Sequence, residues 1–460
     1  MSLTEAFEDS FGSVNDPRMA RRRARLVRFV QPVQEFIETE SAGGLALVAA
    51  ALFALLWANS PWSEAYGALL DTHVVVDVAV FRVDESLHFW INDVAMVLFF
   101  FVVGLEVKRE LVLGELNSLR RVAMPLAAAA GGMLVPLAFF LLVAQGAEAR
   151  NGWGVPMATD IAFALGVMAL LGRRVSAGLK VLLLAVAIFD DIGAVVVIAI
   201  FYTETVALGP LAIAAGAFVV VAAMDRVGVR RLPLYVLAGG VAWAAVLQSG
   251  VHPTIVGVAL GLLTPTRAWY HPDGFIDIIQ RMMRRFQEGM AARLSQHGRE
   301  QQVDALLTIS DLSRESISPL DRLQHELHPW VAFLVLPLFA WANAGVSFGG
   351  GTLGETLTAS LTWAVVAGLV LGKPVGLVAA YFIAQRLGAE GPPGVDQHGV
   401  FGIGLLAGIG FTIALFVTEL AYAEELLVTQ AKVGILIASL LSGAAGYLVL
   451  RAMPHPPHPE

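Results

Sequence analysis

Long apolar runs separated by short polar breaks dominate the chain between Gly43 and Arg451. About 20 mostly apolar residues suffice for a helix to cross a bilayer. The pattern predicts about twelve spans: 43–60, 88–107, 122–144, 154–171, 179–201, 206–224, 232–248, 253–265, 327–346, 358–384, 399–420 and 428–451. His73 to Asp84 has a different period. It reads HVVVDVAVFRVD, and its partial alternation and β-branched residues predict an external β-hairpin with an edge able to pair with a second copy. Two regions lack a span-length run: the N-terminal extension 1–40 and the insert 267–322, which mixes acids with bases and has helical patches such as Ile276 to Leu294. The insert reads as a cytoplasmic amphipathic segment, and both a regulatory or membrane-surface role and a tolerated loop insertion fit it. The tail 453–460, with His455 and His458, reads as a short disordered end. The expected fold is an all-α polytopic membrane domain, 41–452, carrying the hairpin.

Composition agrees with lipid as the main solvent. Of 460 residues, 57% are hydrophobic and 15% charged, against about 25% charged in soluble domains. The net charge of -8 belongs to loops and tails, and no basic aromatic stripe accompanies it, which excludes nucleic acid as a partner. The lack of cysteine removes disulfides, thiolate chemistry and cysteine-held metal sites. The first apolar run begins too far from Met1 for a cleaved signal peptide. Arg21, Arg22, Arg23, Arg25 and Arg28 precede it and predict a cytoplasmic N-terminus. Every second loop should then collect cations. Lys108, Arg109, Arg120 and Arg121 fall in one such loop, Arg173, Arg174 and Lys180 in the next, Arg226, Arg230 and Arg231 in a third, and Arg267 opens a fourth. An even span count returns Arg451 to the same side.

Three apolar spans carry ionisable residues near their middles: Asp160, the pair Asp190 and Asp191, and Lys373. Each costs about 2.5 to 3.5 kcal/mol at a helix centre on insertion scales, roughly 10 kcal/mol for the four. A purely structural network would hold helices together less cheaply than apolar packing does. Neighbouring helical positions project about 100° apart, so Asp190 and Asp191 face different surroundings: one an ion, the other a fixed charge. Desolvation and like charge oppose ionisation of crowded carboxylates, whereas a bound cation favours it, so proton and cation compete for one site. Carboxylate oxygens suit a hard cation, Na⁺ or Li⁺ among monovalent ions, with Ca²⁺ also admissible.

The span around Asp160 also holds Pro156 and Thr159, and the span LLAGIGFTIALF holds Gly408 and Gly410. Both can be broken. Half-helix ends present partial charges at membrane depth, which Asp160 can neutralise at paired N-termini and Lys373 at paired C-termini. Close helix packing is an equal reading for the two glycines. The breaks fall in the fourth and eleventh spans, matching positions if spans three to five and ten to twelve form inverted repeats with crossing discontinuous helices.

At these residues the chain resembles the NhaA family of sodium/proton antiporters, through FFFVVGLEVKRELVLGEL, ATDIAFALGVMALLGRRV, AIFDDIGAVVVIAIFYT, LQSGVHPT, HPWVAFLVLPLFAWANAGVS, GLVLGKPVGL and GIGFTIALF, over about residues 40 to 452. The resemblance implies an electrogenic secondary transporter of a bacterial inner membrane. It would need no cofactor, extrude Na⁺ or Li⁺ against H⁺ under pH regulation in sodium and pH homeostasis, and form a homodimer partly through the hairpin 72–84. It implies that Asp191 is the principal cation and proton carboxylate, Asp190 the partner of Lys373, Asp160 and Thr159 neighbours at the crossing, and Asp93 more structural. Glu106 and Glu110 match the family's pH-responsive region; a solvated helix end fits them equally well. His325 and His328 match two histidines of that region, and imidazole titrates near neutral pH. The pattern is broken there by Gln324, where an acid is expected, and by Glu326 between the histidines. A metal site on those histidines lacks an evident third ligand. His252 reads as a pH-sensitive group or as a satisfied interfacial histidine.

Three other functions could draw on such residues. An intramembrane aspartyl protease would use two aspartates sharing a proton, but no Gly-x-Gly-Asp sequence occurs and Lys373 does not suit such a dyad. An ion-coupled symporter of an organic anion could use the same fold. A passive channel fits interrupted charges poorly, because they suggest discrete binding rather than a continuous filter.

Overall fold

The structure, a computed structural model, describes residues 40–453 apart from 79–80, 115–118, 204–205, 230, 269–271, 292–295 and 349–351. The N-terminal arginines, the hairpin tip and the histidines of the tail lie outside the described residues. What is described is mostly helical, with one two-stranded sheet. Seven helices are long and apolar enough to cross a membrane, and three further bent pairs qualify if each counts as one span.

Helix α1 (Glu40–Ala58) turns through 117° into α2 (Ser63–Leu70). Strands β1 (His73–Val78) and β2 (Phe81–Ser86) follow, antiparallel, with His73 opposite Ser86 and Val76 opposite Val83. His73 Nδ1 lies 2.9 Å from Asp84 Oδ1, and that contact, with Arg82 adding, holds the Asp84 carboxyl below the usual carboxylate range. Then come α3 (Leu87–Val112), α4 (Leu119–Val143), the bent pair α5 (Ala147–Met157) and α6 (Ile161–Leu171), α7 (Ala177–Phe201), α8 (Leu208–Val227) and α9 (Leu232–Ser249). Gly228, with φ of 80°, ends α8 in the left-handed conformation that spares only glycine a steric cost.

The expected span 253–265 contains a helix of just 9 residues, α10 (Ile255–Leu263), about 13 Å long and well short of a hydrocarbon core of about 30 Å. The helical patches expected in the insert are α11 (Pro272–Ala291) and α12 (Gln296–Glu315), two helices packed on each other. Helix α13 begins at Pro319, inside the stretch read as insert, and runs through a π turn at Val331–Val335 to Asn343. After α14 (Thr352–Thr358) come α15 (Ser360–Arg386), the bent pair α16 (Gln397–Ala407) and α17 (Phe411–Ala421), and α18 (Glu425–Ala452).

Lipid tails are as apolar as leucine, so close packing rather than escape from water holds such helices together. Small residues make that possible. A Cβ on Gly131 of α4 would run into the Gly376 carbonyl of α15, and one on Gly376 into that of Gly131. Gly104 of α3 sits likewise against α10, where a Cβ would lie 2.7 Å from the Val258 carbonyl oxygen. Asn92 in α3 and Asn343 in α13 bracket the two helices with reciprocal amide hydrogen bonds of 2.7 and 3.3 Å, both side chains buried.

Candidate ion-binding site

The two bends that matter are those of α5–α6, 46°, and α16–α17, 42°. In the first, Pro156 closes a tight helical turn and residues 158–160 run extended to Asp160. In the second, Gly408 and Gly410 flank Ile409 between the two halves. The breaks meet: the Asp160 backbone N–H donates to the Ile409 carbonyl at 2.6 Å. Gly408 is also a packing glycine, since a Cβ there would lie 2.6 Å from Ser442 Oγ, so both readings of that residue hold.

Each break leaves orphan helix ends, which polar side chains occupy. Asp160 Oδ1 accepts the Phe163 N–H at 2.9 Å, capping α6. Its Oδ2 accepts the Thr412 N–H at 3.0 Å and the Thr412 hydroxyl at 2.7 Å, so the same carboxylate caps α17. At the opposite polarity, Lys373 Nζ donates to the Met157 carbonyl at the end of α5. Lys373 follows a π turn, Ala367–Gly372, and precedes Pro374. Pro374 has no N–H for the carbonyl four residues back, which accounts for the widened turn.

Asp190 and Asp191 lie on α7, which Ser176 caps by accepting the Leu179 N–H at 3.3 Å. Their surroundings differ as 100° of helical projection requires. Asp190 Oδ2 lies 2.8 Å from Lys373 Nζ, with both side chains fully buried. It also accepts from Thr159 Oγ1 at 2.7 Å. That hydroxyl has one hydrogen and stands 2.9 Å from the Ala407 carbonyl as well, so it ties Asp190 or the α16 end, one at a time. Asp191 is buried, and its Oδ1 has no hydrogen-bond partner among the described residues. The charges that reach it are Asp190, Glu106, Asp160 and Lys373, three of them negative. A buried acceptor in a field of that sign suits a small cation or a proton.

Asp160, Thr159, Asp190, Asp191 and Lys373 therefore come together, with Glu106 on α3 nearby. Other expected residues stand apart. Glu110 is one turn beyond Glu106, and His325 and His328 are exposed on α13. In that region Arg109 reaches across to Gln324 Oε1 at 3.5 Å and Asp321 Oδ1 at 3.8 Å, tying α3 to α13. His252 has partners of its own: Asp93 Oδ1 at 3.4 Å, Thr254 Oγ1 at 2.8 Å and the Phe416 ring, nearly perpendicular to the imidazole. Sequence reasoning named His252 and Asp93 without joining them. It also missed Thr412, whose position just after a glycine break was the available signal for a second capping contact.

A bundle of apolar helices with broken segments meeting at buried, oppositely charged groups defines a multi-pass membrane transporter rather than an enzyme. Residues 34–450 match the family described as Na+/H+ antiporter 1. The Na(+)/H(+) antiporter NhaA 2 of Sorangium cellulosum is 46% identical over 94% of this chain and 92% of its own length. That of Myxococcus xanthus is 45% identical, over 91% and 88%, and that of Syntrophotalea carbinolica 42%, over 93% and 97%. The chain belongs to the NhaA family of Na⁺/H⁺ antiporters.

Proposed function

We propose that this chain is an electrogenic antiporter extruding Na⁺ or Li⁺ in exchange for H⁺ at Asp191, regulated by pH and serving sodium and pH homeostasis. The supporting observation is the asymmetry of the adjacent aspartates: each has a buried Oδ1 without a partner, but Asp190 Oδ2 is held by Lys373 and Thr159, whereas among the described residues no side chain pairs with Asp191. Deprotonated Asp191 binds the cation from the cytoplasm, a rocking step turns the site outward, and protonation from outside releases the ion. Cation and proton each satisfy the same carboxylate, so the return step needs one or the other. Glu106, adding negative charge to that field, and the cytoplasmic ends carrying Glu110, His325 and His328 are the candidates for pH response, with His252 and Asp93 a second one. Transport of more protons than sodium ions per cycle requires a further proton carrier, for which the Asp190–Lys373 pair is the nearest candidate.

The architecture that goes with this reading counts each bent pair as one span and relates α4–α7 to α15–α18 as inverted repeats. It lies in the bacterial inner membrane as domain 41–452, with the extension 1–40, the insert 267–322 and the tail 453–460 cytoplasmic. The hairpin 72–84 joins two copies. The test is collapse of a pH gradient in everted vesicles on adding Na⁺, Li⁺ or K⁺. Wild type should respond to Na⁺ and Li⁺, and Asp191→Asn should lose at least tenfold of that response. Normal sodium exchange by Asp191→Asn would refute the assignment. An opposite pH change in wild type would mean symport.

A further inference from the structure

We infer that Tyr202 and Tyr422 are positioning residues for cation binding: their hydroxyls hold a turn of α5 open, and that sets where Met157 and Thr159 meet the buried charges. The inference rests on the ion-exchange reading of the site given above. Helix α5 changes form along its length. After Ala147–Arg150 it continues as a 3-10 helix of 7 residues, Asn151–Met157, with Gly152 at φ −82° and ψ 22° outside helical geometry. Runs of 3-10 helix beyond about 3 to 4 residues are uncommon, because their hydrogen bonds are poorer. The side chains that hold this one come from two other helices.

Tyr202 is the first residue after α7 and Tyr422 the first after α17, and each still donates its own N–H into the last turn, to the Ile198 and Thr418 carbonyls. The Tyr202 hydroxyl donates to the Asn151 carbonyl at 2.9 Å and accepts the Gly154 N–H at 3.3 Å. Asn151 and Gly154 are the acceptor and donor that a 3-10 turn pairs directly, so the hydroxyl is inserted into that turn and props it open. The Tyr422 hydroxyl donates to the Ala149 carbonyl at 2.6 Å, just before the 3-10 segment begins. Both approaches need glycine. A Cβ on Gly152 would run into the Tyr422 hydroxyl, and one on Gly154 would lie 2.9 Å from that of Tyr202. Trp153, between the two glycines, stacks on Tyr202 with ring centroids 6.4 Å apart and meets Phe201 nearly at right angles at 5.0 Å.

The consequence lies at the other end of the same segment. At roughly 2.0 Å per residue instead of 1.5 Å, the stretch from Asn151 to Met157 is about 3 Å longer than the same residues would be as an α-helix. The Met157 carbonyl accepts from Lys373 Nζ, and Thr159, two residues on, donates to Asp190 Oδ2 at 2.7 Å. Hydrogen bonds do not survive a displacement of about 3 Å. The tyrosines therefore act on the site through the length of α5. Each also ends a helix that carries site residues, Asp190 and Asp191 on α7 and Thr412 on α17, so the segments that meet at the site are tied together a second time at their far ends.

Tyrosine to phenylalanine removes the hydroxyl and keeps the ring. Tyr66 is the control, because its hydroxyl on α2 donates to the Trp341 carbonyl at 2.6 Å in the same kind of contact away from the site. Two quantities are measured: the Na⁺ concentration giving half-maximal collapse of a pH gradient in everted vesicles, and the one giving half-maximal thermal stabilisation of the purified full chain. Tyr202→Phe and Tyr422→Phe should each raise both at least threefold, and the double variant at least tenfold, with the maximal exchange rate of the single variants within twofold of wild type. Tyr66→Phe should move neither. Unchanged half-saturation in both single variants would overturn the inference, and so would a lower maximal rate alone. An equal rise in Tyr66→Phe would do the same, since it would mark general loosening. A wild type that Na⁺ neither drives nor stabilises would refute the transport reading itself, whereas a responsive wild type with indifferent tyrosine variants would refute this inference alone.

Discussion

At the scale of single residues, the cost of placing charge in a membrane is met pair by pair. Asp160 gains three hydrogen bonds from two helix ends, and Asp190 gains an ammonium and a hydroxyl. Removing one partner of such a buried pair leaves an uncompensated charge, worth about 3 to 5 kcal/mol. Lys373→Ala should therefore lower thermal stability in detergent by about that amount, and Lys373→Ala with Asp190→Asn should recover most of it. Equal melting of Lys373→Ala and wild type would show that the pair carries no stability. The four ionisable residues were legible in the sequence because nothing else near the middles of those spans is charged. Thr412 was legible only as a residue beside a glycine break, because a threonine in an apolar helix commonly bonds its own preceding turn, and only the approach of the two breaks directs it to Asp160.

At the scale of elements, spacing between helices is decided by glycines whose roles cannot be told apart in sequence. Gly104 and Gly240 both lie in apolar spans of similar composition. A Cβ on Gly104 meets the backbone of α10 at 2.7 Å, whereas one on Gly240 meets open space. Gly104→Ile should force α3 and α10 apart and cost about 1 to 3 kcal/mol or more, while Gly240→Leu should melt at or above the wild-type temperature. Comparable losses in both would mean that α3 and α10 pack otherwise. The short α10 shows the opposite limit of sequence reading. Residues 253–265 are apolar enough to suggest a span, but His252, Pro253 and Thr254 precede a helix of 9 residues. Hydropathy reports the solvent of a segment, not the length of its helix.

At the scale of the whole molecule, the hairpin is the element least committed to its own chain. Val74, Val75 and Val76 on β1 are all substantially exposed, although alternate residues of a strand face opposite sides. Both faces of that strand are thus available, and an exposed apolar edge is a template for a second chain. On the proposal that the hairpin joins two copies, light scattering should give a dimer for wild type and a monomer for Val75→Lys or for deletion of 73–86, and a monomeric wild type would refute it. An unchanged dimer would place the interface elsewhere. Sequence alone determined that the chain lives in lipid, where most of its apolar helices lie, and which four buried charges need explanation, because those follow from composition and from the energetics of insertion. Tertiary structure alone decided that Lys373 also meets the end of a broken helix, that one carboxylate caps two half-helices, that His252 and Asp93 are joined, and that a short helix leaves a cavity beside it. Those are distances between segments far apart in the chain, and no local pattern of residues encodes them.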